Sequence, residues 1–399
     1  MPDRIAFGSF ELDLRQRVLL RHGVAVPLGS RAVDVLCALA LAHGELVGKD
    51  RLLAQVWPDT IVEENNLQVQ ISALRKAFAA EDGSRGWLQT VPGRGYRFVA
   101  PMRTPPAPVE ASAPAYPAPP RQAIEFVQAA DGVHLAAAAT GSGPALLRTG
   151  MWMTHLEHEW DAQVWGPLLG RLSERFRLVR YDQRGMGMSD RAVPTPGFDT
   201  LVSDLAAVAQ RMAPGRVALL GMSQGAPVAI EYAARHPDRV SCLVLLGGYA
   251  KGWRAYGNAQ VIAGTTAFAT LTRQGWGKQN PAFRQVFTSL AMPDATREEM
   301  DAYNELQRLS ASAQLAGDML EAVGDFDVSQ RLAQVRLPTL VLHSEQDAWI
   351  PAAMGRQLAQ AIPGARFVSL PSSSHVPMPR EPAWERMVGS IVDFVAAHG

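Results

Sequence analysis

Apolar positions in the first 100 residues follow the pattern of short strands and amphipathic helices. Continuous or alternating apolar runs predict strands, and apolar residues three and four positions apart predict helices. The predicted elements are strands at 5–12, 18–20 and 24–28, a first helix capped by Ser30, helices at 49–56 and 63–79, and a β-hairpin formed by 87–91 and 96–100.

The helix predicted at 63–79 has two distinct faces. Leu67, Ile71, Leu74 and Phe78 recur at helical spacing, so this stripe is expected to face a core. The opposite face is small and polar, with positive charge at its C-terminal end, which suits entry into a DNA major groove. The residues predicted for that face and its flanks are Asn65, Val69, Gln70, Ser72, Ala73, Arg75 and Lys76.

Beyond residue 123, short apolar runs alternate with longer helical stretches. This alternation is typical of a parallel sheet that is covered by helices on both faces. The segment between 247 and 336 departs from the alternation, because its strand signals are weak. The predicted strands lie at 145–148, 176–181, 217–220, 242–246, 340–343 and 367–370.

A stretch rich in proline and alanine, 101–122, separates these two patterns. Proline lacks a backbone donor and has a fixed φ, so this stretch is expected to be extended and semi-rigid. The sequence therefore predicts a domain at 1–101, a linker at 102–122 and a larger domain at 123–399.

Composition places the chain among ordinary globular proteins. Its 399 residues are 47% hydrophobic and 19% charged. No run of about 18 apolar residues predicts a membrane span, and the charged N-terminus is unlike a signal peptide. Cys37 and Cys242 are too few for a disulfide framework, so the reducing cytoplasm is the expected location.

The formal net charge of zero conceals a difference between the two predicted domains. Residues 1–103 hold 13 basic and 11 acidic residues, and the remainder holds 25 basic and 27 acidic ones. Within 75–103, six basic residues stand against two acidic ones. The neutral total therefore does not exclude an N-terminal DNA-binding domain, whose affinity should depend on dimerisation and salt.

The motif G-M-S-Q-G at 221–225 predicts nucleophilic chemistry in the larger domain. It follows an apolar strand and precedes a helix, which is the context of a nucleophile elbow that exposes Ser223 on a tight turn. A serine nucleophile needs a histidine base and a carboxylate that orients the base, in the chain order Ser, acid, His. Asp347 and His375 each follow a predicted strand in that order, and Glu345 is the rival acid.

Residues 5–101 resemble the OmpR-type winged-helix effector domain. The resemblance implies that 63–79 is the recognition helix and that the hairpin is a wing, from which Arg94 and Arg97 reach the minor groove or phosphates. Double-stranded DNA, read by a homodimer, is the implied partner. Many family members carry arginines where this chain has Ser72 and Ala73. The matching segments are VPLGSRAVDVLCALALAHGELVGKDRLLAQVWPD, NNLQVQISALRKAF and TVPGRGYRFVAP.

Residues 123–399 resemble the α/β-hydrolase superfamily in YDQRGMGMSD, GMSQG, SEQDAWIP and SSSHVP. The resemblance implies an oxyanion hole made by the backbone amides of Gln224 and Met151. Many members carry His-Gly just before the second of these amides. This chain has the glycine, Gly150, but no histidine in front of it. A helical cap is implied at about 248–336. Its aromatic residues, expected in the cap core or along an apolar pocket, are Trp253, Tyr256, Phe268, Trp276, Phe283 and Phe287.

Two functions fit these features. One is a one-component transcriptional regulator whose hydrolase domain binds and hydrolyses a small apolar ester, amide or lactone, or senses it without turnover. The other is a serine hydrolase whose N-terminal module serves only assembly or localisation. Neither requires a cofactor. His155 and His158 form a conceivable metal pair, but no third ligand of suitable spacing follows, so no metal is expected.

Overall fold

The computed structural model describes residues 4–14, 17–22, 24–26, 28–42, 44–57, 64–79, 81, 84–103 and 122–399. The chain divides into two compact units, Met1–Ala115 and Tyr116–Gly399. Most of the predicted linker, 104–121, lies outside the described residues. At its two ends, Met102–Arg103 pairs as a strand within the first unit, and Gln122 forms hydrogen bonds within the second.

The described part of the first unit contains eight short strands: β1 Arg4–Phe7, β2 Phe10–Asp13, β3 Val18–Arg21, β4 Val24–Ala25, β5 Val47–Gly48, β6 Leu88–Val91, β7 Gly95–Phe98 and β8 Met102–Arg103. They form two antiparallel sheets with the orders β4-β3-β2-β1-β8 and β5-β7-β6. The single strand predicted at 5–12 is wrong, because the chain turns at Gly8 and Ser9 and pairs β1 with β2.

Three helices lie between β4 and β6: α1 Ser30–Leu41, α2 Lys49–Val56 and α3 Glu64–Phe78. The prediction that Ser30 caps α1 is wrong, since Gly29 occupies the N-cap with extended backbone and Ser30 is the first helical residue. On α3 the stripe Leu67, Ile71 and Leu74 is buried, as its spacing predicts. Phe78 ends this stripe in a group of aromatic rings at 5.5–6.0 Å from its own, namely Phe7, Phe10, Trp87 and Phe98.

An eight-stranded sheet forms the centre of the second unit: β9 Ile124–Gln128, β10 His134–Thr140, β11 Ala145–Arg148, β12 Arg177–Tyr181, β13 Val217–Met222, β14 Val240–Leu246, β15 Thr339–Ser344 and β16 Arg366–Leu370. The strand order is β16-β15-β14-β13-β11-β12-β10-β9. The first six strands in this order are all paired in parallel. The sequence did not predict β9 and β10. For β10 the strand signal is weak, because the strand reads HLAAAAT and alanine has low β propensity.

The helices of this unit are α4 His158–Asp161, α5 Gly166–Ser173, α6 Phe198–Met212, α7 Gly225–Arg235, α8 Ala259–Gly275, α9 Ala282–Ala291, α10 Arg297–Ser310, α11 Ala313–Ala322, α12 Ala352–Ala361 and α13 Pro382–His398. Four of them, α8 to α11, lie between β14 and β15, in the segment predicted to form a cap. Among the described helices, none is long and apolar enough to cross a membrane. Because β11 and β13–β16 run parallel, the loops that follow them share one edge of the sheet.

Candidate active site and DNA-binding surface

Ser223 lies on a sharp turn between β13 and α7. Its φ is +50°, a left-handed conformation that non-glycine residues rarely adopt. The Ser223 amide donates to the carbonyl oxygen of Leu246 on the neighbouring strand at 2.9 Å, and the Ser223 carbonyl accepts from the Ala226 amide at 3.0 Å. The turn is thus held on both sides of the serine, in the backbone conformation of a nucleophile elbow.

Close packing requires glycine at both glycine positions of the motif. A Cβ on Gly225 would lie 2.4 Å from the carbonyl oxygen of Gly150, and one on Gly221 would lie 2.9 Å from Cα of Ala226. Both distances are too short for real side-chain atoms. The glycines therefore let α7 approach β13 and the loop after β11 closely enough to form the turn.

His375 and Asp347, from the loops after β16 and β15, are in direct contact. Nδ1 of His375 lies 2.6 Å from Oδ2 of Asp347. The other carboxylate oxygen accepts hydrogen bonds from the amides of Trp349 and Ile350, each at 2.9 Å. Burial alone would raise the pKa of Asp347. The charge of His375 and these hydrogen bonds outweigh burial and hold that pKa well below its usual range, so the carboxylate stays ionised.

The second ring nitrogen of His375 lies in the interior beside the candidate nucleophile's turn, in a hollow that Ser223 also lines. Nε2 is buried and has no hydrogen-bond partner within the described structure. His375 and Ser223 line the same small hollow, together with Met151 and Tyr303. The rival acid Glu345 is exposed and instead accepts a hydrogen bond from the Ser369 hydroxyl at 3.0 Å.

The amides of Gln224 and Met151 are available to a ligand. Gln224 directly precedes α7, where the helix dipole favours negative charge. Neither amide donates to a backbone acceptor among the residues that the structure describes. Gln183, which the sequence did not single out, donates from Nε2 to the carbonyl of Met151, in the peptide that follows the one carrying the Met151 amide. Met151 directly follows Gly150, and no histidine immediately precedes that glycine.

A cavity of about 390 Å³ opens above Ser223 and Gln224. Its walls are mainly apolar. Along one side the ring of Phe287 stacks on that of Trp152 with a centroid separation of 4.9 Å, and it meets the ring of Trp349 edge to face at 4.6 Å. Of the six cap aromatics singled out from the sequence, Trp253, Tyr256 and Phe287 line this cavity. Phe268, Trp276 and Phe283 are not among the lining residues.

His155 and His158 lie beside one another, with ring centroids 4.3 Å apart. Burial, assisted by His158, lowers the pKa of His155 to about 4. The described residues contain no group of three or more His, Cys, Asp or Glu side chains that could hold a metal ion.

A buried charge cluster that the sequence did not reveal lies next to this pair. Arg148, at the end of β11, donates to both carboxylate oxygens of Glu159 at 2.7 Å, and Arg180 donates to one of them at 2.5 Å. All three side chains are at most 1% exposed. Gln122, the last residue of the predicted linker, accepts from Arg180 Nη2 at 2.8 Å. The partners are far apart in sequence, so no local motif marks them.

The predicted DNA-reading face of α3 is largely exposed. Asn65, Val69, Ser72 and Lys76 are exposed, whereas Gln70 and Ala73 are half-buried. Arg75 is also exposed, but its guanidinium donates to the Leu88 carbonyl at 2.9 Å and to the Thr90 hydroxyl at 2.7 Å. This arginine therefore connects α3 to the wing strand β6.

The two wing arginines differ in exposure. Arg94 is exposed in the turn between β6 and β7. Arg97 is half-buried on β7, and its Nε is buried without a hydrogen-bond partner within the described residues. Arg94 is thus the better placed of the two to reach a phosphate.

Family models match both units. A model described as the alpha/beta hydrolase fold matches residues 154–382, and one described as the C-terminal part of transcriptional regulatory proteins matches residues 23–98. Among individual proteins, the chain is similar to a pimeloyl-[acyl-carrier protein] methyl ester esterase from Nitrosomonas europaea. The two are 27% identical over 261 residues, which cover 60% of this chain and 91% of the esterase.

Solved structures give the same fold for the larger unit. An esterase from Exiguobacterium antarcticum superimposes with a TM-score of 0.59 at 24% identity, covering 68% of this chain and 98% of the esterase. A hydrolase from Pseudomonas aeruginosa superimposes with a TM-score of 0.56 at 26% identity, covering 68% and 98% of the two chains. The chain therefore belongs to the α/β-hydrolase family, with an OmpR-type winged-helix DNA-binding domain fused to the N-terminal side of its hydrolase domain.

Proposed function

We propose that this chain is a one-component transcriptional regulator with a catalytic sensor domain. The winged-helix domain at 1–101 binds double-stranded DNA as a homodimer, and the linker at 102–122 joins it to the hydrolase domain at 123–399. The hydrolase domain binds and hydrolyses a small apolar ester, amide or lactone. Ligand binding to the hydrolase domain alters DNA binding, and hydrolysis of the ligand resets this signal.

The contact between His375 and Asp347 carries the catalytic part of the proposal. Asp347 fixes the imidazole through Nδ1 at 2.6 Å, and the unpartnered Nε2 shares a hollow with Ser223. In the proposed reaction, Oγ of Ser223 attacks the substrate carbonyl while Nε2 of His375 takes its proton. The amides of Gln224 and Met151 stabilise the oxyanion. His375 then protonates the leaving group, and water releases the acyl group from Ser223 by the same steps.

The cavity supports an apolar acyl group. Its volume of about 390 Å³ is within the usual range for small-molecule sites, and its walls are dominated by aromatic and aliphatic side chains. Lys251 is the one charged residue among the described cavity residues, and its Nζ lies 3.4 Å from a carboxylate oxygen of Asp327. Since this ion pair neutralises the lysine, a neutral substrate is favoured.

Hydrolysis of p-nitrophenyl butyrate tests the catalytic part. We expect turnover by the full-length chain and loss of turnover in Ser223→Ala. Ser289→Ala is the matched control, since Ser289 is an exposed cap serine whose hydroxyl bonds the carbonyl of Gln285. Full activity in Ser223→Ala contradicts the assignment of the nucleophile.

An electrophoretic mobility shift with the gene's own upstream region tests the regulatory part. A shift at low salt is expected. Hydrolysis without any shift contradicts regulation and favours the alternative, a serine hydrolase whose N-terminal module serves assembly or localisation. Comparing the shift of wild type and Ser223→Ala in the presence of an ester substrate then separates sensing by binding from sensing by turnover.

A further inference from the structure

A second histidine lies against the carboxylate of Asp347. His343 is on β15 and is fully buried. Its Nε2 is 2.8 Å from the carbonyl oxygen of Ile350 and 3.4 Å from Oδ2 of Asp347. A carbonyl oxygen only accepts, so Nε2 carries the proton of this imidazole. That N–H therefore donates to the loop that carries Asp347, and the nearby Oδ2 is the same carboxylate oxygen that His375 contacts.

The surroundings of His343 are unusual for a residue that serves packing alone. Its Nδ1 is buried and has no hydrogen-bond partner among the described residues. The facing helix, α12, passes the ring at Gly355, where a Cβ would lie 2.4 Å from Nδ1. An apolar side chain would fill this space without leaving a buried nitrogen unpaired, so what the imidazole adds at this position is its N–H donor.

We propose that His343 is a positioning residue for Asp347 and, through it, for His375; this inference rests on the hydrolase function proposed above. Its N–H ties the carbonyl of Ile350 to β15 and so fixes the loop in which the Trp349 and Ile350 amides bind the other carboxylate oxygen. The rigid loop holds Oδ2 of Asp347 within 2.6 Å of His375.

Loss of this tie has a defined consequence for the base. If the Asp347 loop moves, its contact with His375 lengthens and the carboxylate stabilises the imidazolium less. The acid limb of the pH profile of kcat/KM, which reports protonation of the base, then moves to lower pH. The other titratable group that lines the hollow at His375 is Tyr303 of α10, and burial raises its pKa, which keeps it neutral in this range.

Kinetics of three variants of the full-length chain test the proposal. With p-nitrophenyl butyrate, we expect His343→Ala to lower kcat at least about 10-fold, to leave KM within about 2-fold and to shift the acid limb to lower pH. In His343→Gln the side-chain amide can donate to the Ile350 carbonyl, so most of kcat returns. Val341→Ala, a buried truncation on the same strand, loses stability without these changes. If His343→Ala matches Val341→Ala in kcat and acid limb, the proposal is overturned.

Proton NMR supplies a readout that needs no substrate. The proton between Nδ1 of His375 and Asp347 should resonate far downfield of the backbone amides, because the hydrogen bond is short and charge-assisted. We expect this resonance to move upfield or broaden in His343→Ala and to persist in Val341→Ala. A wild type that shows the resonance but hydrolyses no ester contradicts the proposed function alone. An unchanged resonance in His343→Ala contradicts the positioning role alone.

Discussion

The imidazole of His375 lies against the α-carbon of Gly247, so closely that a Cβ on Gly247 would be 2.7 Å from Cε1 of the ring. Gly247 directly follows β14, which lies between β13 and β15 in the sheet. His375 comes from the loop after β16 and crosses the end of β14 to reach the hollow that it lines together with Ser223. The missing side chain at Gly247 provides the space for that crossing.

Gly247→Ala is therefore expected to displace the base. A displacement of about 1 Å in a catalytic group costs about 100-fold in kcat/KM, and the φ of +59° adds a stability cost of about 1–2 kcal/mol. Gly364→Ala is the matched control, because Gly364 has a φ of +74° and a Cβ placed on it would meet no atom within 4 Å. The control should lose similar stability and keep its activity. Equal activities of the two variants would contradict the steric role of Gly247.

The backbone conformation of Ser223 is expected to lower the free energy of unfolding. A left-handed conformation costs a residue with a side chain about 1–2 kcal/mol, and glycine is free of this cost. We expect Ser223→Gly to be about 1 kcal/mol more stable than Ser223→Ala in urea denaturation, with both variants inactive. Equal stability would show that the turn is not strained.

The catalytic residues that the sequence identified are each marked by a pattern of neighbouring residues. The glycine spacing and the strand–helix context mark Ser223, and Asp347 and His375 each follow an apolar strand. Gly247 and Glu159 act through contacts with other segments of the chain, so no pattern of neighbouring residues marks them. The contacts of His343 with Asp347 and Ile350 are close in sequence, but they depend on how the loop after β15 folds back on the strand. For Arg75 the sequence predicts the position of the residue but not its contacts. Its place on the polar face of α3 follows from helical spacing, but its contacts with Leu88 and Thr90 depend on how the wing folds back.

Glu159 should be essential for stability. Its single carboxylate is shared by the two buried guanidinium groups of Arg148 and Arg180. Breaking a buried ion pair from one side costs about 3–5 kcal/mol, because a charge is left without compensation. Glu159→Gln should lose that much in urea denaturation, whereas Glu385→Gln, which breaks an exposed pair with Arg171, should lose less than about 1 kcal/mol. A loss of similar size in the two variants would contradict the prediction.

His155 is expected to make stability depend on pH. Its pKa is about 4 in the folded chain against 6.5 as the ordinary value, chiefly because burial disfavours the charged ring. The unfolded chain then binds the proton more readily than the folded chain. The contribution of neutral His155 is present above pH 6.5 and is lost as the pH falls towards 4.

The measurement is the melting temperature of His155→Gln and wild type between pH 7 and pH 4. The variant should lose less stability across this window, since glutamine does not titrate. His236→Gln, at an exposed histidine, serves as the control and should keep the slope of the wild type. An identical slope in His155→Gln would show that other groups cause the acid sensitivity.

Arg94 is the side chain through which we expect the wing to contact DNA phosphate. It is exposed in the turn between β6 and β7, whereas Arg97 is half-buried and Arg75 bonds to the wing itself. A phosphate contact contributes to affinity for every sequence and about 1 to the slope of log K against log salt. Arg94→Ala should therefore weaken specific and non-specific DNA binding alike and reduce the slope by about 1 for each bound protomer.

Fluorescence anisotropy over a salt series measures both effects. Arg297→Ala, at an exposed cap arginine paired with Asp301, should change neither. An unchanged slope in Arg94→Ala would place the wing away from the DNA backbone.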